Sequence, residues 1–236
     1  MKKVLMTILV VGVITIAVLA ATNQVSSVNV AGYVKMELER GKYYMLRNDF
    51  FWMGSGDCTV SNVIGRQLPV NSKVYKWNGS SYTISTYTVY PFPPPAKTNW
   101  SVNFTLDVGE GFWVYIPSGA GQPTYTLNVL GEVPNNATSS IPFSSTYTIL
   151  GYPYAASVAW TNTQLAKSAK VGDKLYLWNP NTQSYTISTY TVYPFPPPAK
   201  TNWSVNVTLD IGKSFWYYKT TAGTKYWNET RPYTLD

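Results

Sequence analysis

The strongest constraint on this chain is that it repeats itself. Ser81–Asn103 recurs without a single change at Ser184–Asn206. The match runs on less strictly at both ends: Leu106–Tyr115 answers Leu209–Tyr218, Lys73–Asn78 answers Lys174–Asn179, and Tyr44-Met45-Leu46 answers Thr148-Ile149-Leu150. A unit of about one hundred residues is the size of one small domain. The duplication therefore predicts two domains, 27–133 and 134–236, with no flexible linker between them.

Within a copy the hydrophobic period is two. Lys73–Trp77, Ser81–Tyr90, Val102–Leu106 and Phe112–Ile116 are β-branched and aromatic runs bounded by Gly, Asn, Asp or Pro, which is the pattern of short strands. Asp107-Val108-Gly109 and Asp210-Ile211-Gly212 read as turns before the Phe-Trp strand. One short helix per copy is expected, with Ser61 and Asn162 at its N-caps. Tyr90–Pro95 and its copy cannot continue a central strand, since proline has no N–H for the ladder; an exposed polyproline-like loop is expected. The fold class is all-β, two tandem β-sandwich-like domains, each with one short helix.

Composition removes much of enzymology. There is no histidine, which excludes Ser-His-Asp and Cys-His catalysis and histidine metal sites. The single cysteine, Cys58, excludes an intrachain disulfide and thiolate zinc; it reads as a buried or partly buried free thiol, with an intermolecular disulfide as the alternative. Asp107 and Glu110 form the one candidate carboxylate pair, but the second copy has Asp210 and Lys213 there, which fits a turn better than a glycosidase site. No Asp-x-Asp run suggests calcium. The reading is no enzyme, no cofactor and no metal. The formal charge of +7 is spread singly along the chain and includes Lys2 and Lys3, so no nucleic-acid partner is expected.

Residues 1–21 place Lys2 and Lys3 before an apolar run that ends in Ala20 and Ala21. This is the layout of a secretory signal peptide, although the run is also long enough for a retained anchor. Either way the rest of the chain is secreted or at the cell surface, and a membrane is met only through residues 1–21 if they are retained.

The junction suggests a mechanism of assembly. Asn29-Val30-x-Gly32-x-Val34 matches Asn128-Val129-x-Gly131-x-Val133, as if one segment closed the first domain and opened the second. Pro232–Asp236 resembles Pro123–Asn128, but the chain stops before the piece that should follow. A strand from residues 22–34 of another copy could supply it. The expected polymerisation residues are Val28, Asn29, Val30, Gly32, Tyr33 and Val34 on one side, and Tyr233, Thr234, Leu235 and Asp236 on the other. A heterologous contact of this kind propagates into a filament. The alternative is that each domain opens with its own strand.

Asn-x-Ser/Thr sequons stand at Asn78, Asn99, Asn103, Asn136, Asn202, Asn206 and Asn228, and covalent glycans on them would cover a weakly charged surface. The paired tryptophans Trp77/Trp178, Trp100/Trp203 and Trp113/Trp216 raise a different function, a carbohydrate-binding module. Along Phe112-Trp113 and Phe215-Trp216 alternate residues face opposite sides, so one of each pair points outward or into the domain interface.

Ser27–Val34, Gly109–Tyr115, Gly131–Pro134 and Gly172–Trp178 together resemble a group of uncharacterised secreted bacterial proteins with a VNVxGYV start and two β repeats. That resemblance implies export and tandem β domains, and no activity. The Tyr-Pro-Phe-Pro-Pro-Pro loops depart from it. More loosely, the missing strand is similar to fimbrial subunits that assemble by donor-strand exchange. The sequence thus points to an exported structural subunit, itself its main partner, that assembles head to tail by strand complementation. The alternative is a secreted carbohydrate- or cell-surface-binding module.

Overall fold

A computed structural model describes residues 30–194 and 196–234. The expected signal segment 1–21 and the assembly residues Val28, Asn29, Leu235 and Asp236 lie outside the described residues.

The chain is all-β. The first copy contains β1 (Ala31–Glu39), β2 (Tyr43–Arg47), the single-turn helix α1 (Val60–Val63), β3 (Lys73–Trp77), β4 (Tyr82–Tyr90), β5 (Lys97–Trp100), β6 (Gly111–Tyr115) and β7 (Thr124–Glu132). The second contains β8 (Thr138–Phe143), β9 (Tyr147–Gly151), β10 (Val158–Ala159), α2 (Gln164–Lys167), β11 (Lys174–Asn179), β12 (Ser184–Tyr193), β13 (Lys200–Trp203), β14 (Thr208–Leu209), β15 (Ser214–Tyr218) and β16 (Lys225–Thr230).

The two copies build the same sheet. Its order is β2-β6-β3-β4-β5 in the first and β9-β15-β11-β12-β13 in the second, antiparallel throughout. A two-stranded ribbon covers each sheet, β1-β7 in the first copy and β8-β16 in the second. The period-two pattern explains the packing. Leu46, Val74, Phe112, Val114 and Leu127 fill one core, and Leu150, Leu175, Phe215, Tyr217 and Trp227 fill the other. The proline-rich segment loops out between β4 and β5, with Phe92 82% exposed. The Asp-x-Gly turns stand where expected, closed by Glu110 N donating to Asp107 O (2.9 Å) and Lys213 N to Asp210 O (3.2 Å).

Two local readings are corrected. The residues preceding α1 and α2 are Thr59 and Thr163, not Ser61 and Asn162. Thr163 Oγ1 accepts from Ala166 N at 3.1 Å, a capping bond that Asn162, one residue earlier and inside a 3-10 turn, does not make. The junction also differs from the shared-strand reading. β7 closes the first copy by pairing with β1 over Ala31↔Glu132 to Glu39↔Thr124, and the second copy opens with its own strand, β8. The far edge of β7 is already occupied. Phe51 exchanges two backbone bonds with Glu132 (2.9 and 2.8 Å), and the Gln67 side chain brackets Asn128 (2.8 and 2.9 Å). The counterpart of β7 is β16, which ends at Thr230 before Pro232.

Candidate functional site

Alternation sends one residue of each pair into its own core and the next one outward. Leu46 is inside while Met45 leaves, and Phe112 is inside while Trp113 leaves; Ile149 and Trp216 do the same in the second copy. These outward residues meet each other. Met45, Trp113 and Ile149, with Tyr75, Trp77, Trp178 and Trp216, form a third apolar cluster between the copies.

Its contacts come in exchanged pairs. Trp77 packs edge-on to Trp216 at 5.3 Å, and Trp178 edge-on to Trp113 at 5.1 Å. Trp77 Nε1 donates to Tyr147 O (3.0 Å), and Trp178 Nε1 to Tyr43 O (2.8 Å). Arg47 N donates to Gly212 O (3.0 Å), and Gly151 N to Gly109 O (2.8 Å). Residue i of one copy touching j of the other while j touches i is the signature of an isologous, two-fold contact. Here it lies within one chain.

Tyrosines flank this cluster on both sides. Tyr43 sits 4.5 Å from Tyr115 and 6.2 Å from Tyr75, while Tyr147 sits 4.9 Å from Tyr218 and 6.4 Å from Tyr176. In the second copy Tyr147, Tyr176, Tyr185 and Trp216 line an open cleft of about 230 Å³. Burial, reinforced by Tyr43, pushes the Tyr75 hydroxyl up to about 12, and burial pushes Tyr185 up to about 12. These hydroxyls are neutral donors at any physiological pH. Ring edges, ring faces and neutral hydroxyls are the groups that hold a sugar by stacking and hydrogen bonding. All four lining residues are aromatic, and none is a carboxylic acid.

The tryptophans expected to form a platform are mostly spent on structure. Trp100 and Trp203 are 4% and 6% exposed and donate to Gly65 O and Ala166 O. Trp113 is 8% exposed.

The candidate carboxylate pair is held in a turn. Glu110 Oε2 takes Lys76 Nζ at 2.8 Å and the Asp107 N–H at 3.1 Å. Burial raises the Glu110 carboxyl, with Lys76 pulling it back. In the second copy Lys213 bonds Asp210 at 2.6 Å. Among the described residues no three Cys, Asp or Glu side chains are grouped to hold a metal. Cys58 is a buried free thiol, its Sγ 3.3 Å from Trp52 N.

The expected assembly residues are placed as follows. Gly32, Tyr33 and Val34 lie in β1 and are paired in cis with β7, and Val30, just before it, accepts from Val133 N, just after β7. Tyr233 lies beyond β16, its hydroxyl donating to Pro134 O at 2.9 Å and its ring 6.0 Å from Tyr154. Thr234 follows it. Among the described residues, Tyr233 and Val30 bond neighbouring residues, Pro134 and Val133, but no hydrogen bond or strand pairing joins the two sets directly. All seven sequon asparagines, Asn78, Asn99, Asn103, Asn136, Asn202, Asn206 and Asn228, are exposed.

No protein-family model, no curated protein and no solved structure matches this chain.

Proposed function

We propose that this chain is an exported structural protein that assembles with copies of itself through β-strand edges, its seven exposed sequons available for glycans. The observation that carries this reading is an inequality between the copies. β1 and β8 are equivalent edge strands, because Met36 and Ile141 each reach over the equivalent turn glycines Gly212 and Gly109. β8 is closed to further pairing by Pro142, which has no N–H to offer. The equivalent residue of β1 is Glu37, which keeps its N–H, and among the described residues no strand besides β7 pairs with β1.

A head-to-tail form, with residues 25–34 of one copy completing the next near Tyr233–Asp236, needs Ala31–Val34 to leave the ladder they make with β7 in their own chain. Addition at the free edge keeps that ladder, and is the form supported here. Negative-stain imaging and light scattering of the secreted protein test the reading. Oligomers that grow with concentration support it, and a monomer at every concentration overturns it.

The cleft at Tyr147, Tyr176, Tyr185 and Trp216 favours a second reading, binding of carbohydrate. Titration with soluble polysaccharides, followed by tryptophan fluorescence, should show saturable quenching that Tyr185→Ala removes. A glycan array without binding would discard it.

A further inference from the structure

We infer that the outer edge of β1 pairs antiparallel with β1 of a second copy, in the register that sets Lys35 of each chain opposite Glu37 of the other. This rests on the self-assembly reading above and adds the surface and the register.

The hydrogen-bond parity of β1 defines the edge. Val133 N donates to Val30 O (2.8 Å), and Arg40 N to Pro123 O (3.0 Å). Both bonds continue the β1-β7 register, so even-numbered residues of β1 bond to β7. The odd-numbered ones, Ala31 to Glu39, turn N–H and C=O to the far side. Among the described residues only Glu39 of these has its N–H engaged, by Tyr44 Oη at 2.5 Å. The side chains of the same odd residues face solvent, with Tyr33 66% exposed beside Leu130 at 54%. From Ala31 to Glu37 the outward groups have no partner among the described residues, and an edge of this kind is a template for another strand.

Charge selects the partner and the register. Pairing about residue 35 would stack Lys35 on Lys35, and pairing about residue 37 would stack Glu37 on Glu37; like charges directly opposite destabilise a sheet. Pairing about Met36 sets Lys35 against Glu37 twice over and brings outward N–H and C=O groups of both residues into register. That yields roughly four backbone hydrogen bonds and a continuous sheet β7-β1-β1-β7. In the single chain Lys35 and Glu37 neutralise each other at 2.9 Å, so the edge carries matched charges and no net repulsion. Such a contact is isologous and closes after two copies, which makes a dimer the unit of assembly.

The test is sedimentation and light scattering of the full chain across a concentration series. Lys35→Glu alone and Glu37→Lys alone should each weaken association about tenfold, each placing two like-charge pairs across the interface. Mixing the two variants should restore a heterodimer, and the double exchange should restore the homodimer. Glu37→Pro copies Pro142 at a position whose N–H faces outward, so the chain should fold and stay monomeric. Should that variant lose its circular-dichroism signature, the charge series decides alone. Mixed Lys35→Cys and Glu37→Cys chains should form a disulfide-linked heterodimer that neither forms by itself. A self-association unaffected by all of these variants, with no cross-link, overturns this register and leaves the self-assembly reading standing. A monomer at every concentration overturns both.

Discussion

Arg47 and Gly151 occupy equivalent places in the two copies, and they occupy one space. A Cβ on Gly151 would lie 2.7 Å from Arg47 Cβ and 2.8 Å from its Cδ. Two arginines cannot meet at this two-fold contact, and the chain has one arginine and one glycine there. The guanidinium, fully buried, lies 2.7 Å from Asp49 and donates to the Tyr152 and Ala156 carbonyls of the other copy. Gly111 and Ser214 repeat the arrangement, a Cβ on Gly111 falling 2.7 Å from Ser214 Cβ.

Gly151→Ala should therefore destabilise the protein by about 1–3 kcal/mol through overpacking. Gly121→Ala, whose Cβ meets nothing within 4 Å, should be neutral or slightly stabilising. Denaturant unfolding of the two side by side checks the difference.

Removing one member of the Arg47–Asp49 pair should cost about 3–5 kcal/mol, because the other charge stays buried without it. Replacing both by apolar residues of similar size should cost much less than the sum. A double-mutant cycle with Arg47→Met and Asp49→Leu measures the coupling.

The two buried aspartates should give opposite pH slopes. Burial, outweighing Arg47, pushes Asp49 from 3.8 up to about 6. Its contribution is present below its unfolded value and is lost as pH rises through about 6, and Asp49→Asn should flatten that limb. For Asp173 burial works upward, but the Lys170 and Thr220 amides with the Tyr217 and Thr220 hydroxyls hold it below the usual range. Its contribution is present above its unfolded value and lost as pH falls through the depressed folded one. Asp173→Asn should cost about 2–3 kcal/mol at neutral pH and remove the acid limb. Unfolding midpoints from pH 3 to 7 separate the two.

Trp77 and Trp178 make the same contacts in exchange, so Trp77→Phe and Trp178→Phe should destabilise alike, by about 1 kcal/mol for the lost indole bond. Thermal unfolding of both variants tests the symmetry, and markedly unequal losses would argue against it.

The local strands and the Asp-x-Gly turns were legible because each depends on neighbours along the chain. Period two placed Phe112 and Trp113 on opposite faces, but left open what the outer face meets. The junction escapes local pattern for a related reason. The described part, Val30–Val34, and Asn128–Val133 look alike and turn out to face each other in one ribbon, and likeness of pattern does not say which strands pair. The helix caps slipped because Ser61 and Asn162 are as suitable as threonine by residue type, and only the backbone geometry distinguishes them.

By itself the sequence determined two copies of an all-β unit, since alternation and duplication are written in one dimension. The tertiary structure alone decided that the copies clasp each other around Trp113 and Trp216, and that Arg47 requires Gly151. Each of these depends on two segments about one hundred residues apart meeting at a few ångströms. No local propensity encodes that distance; it is set when both cores close and their outward faces must be covered.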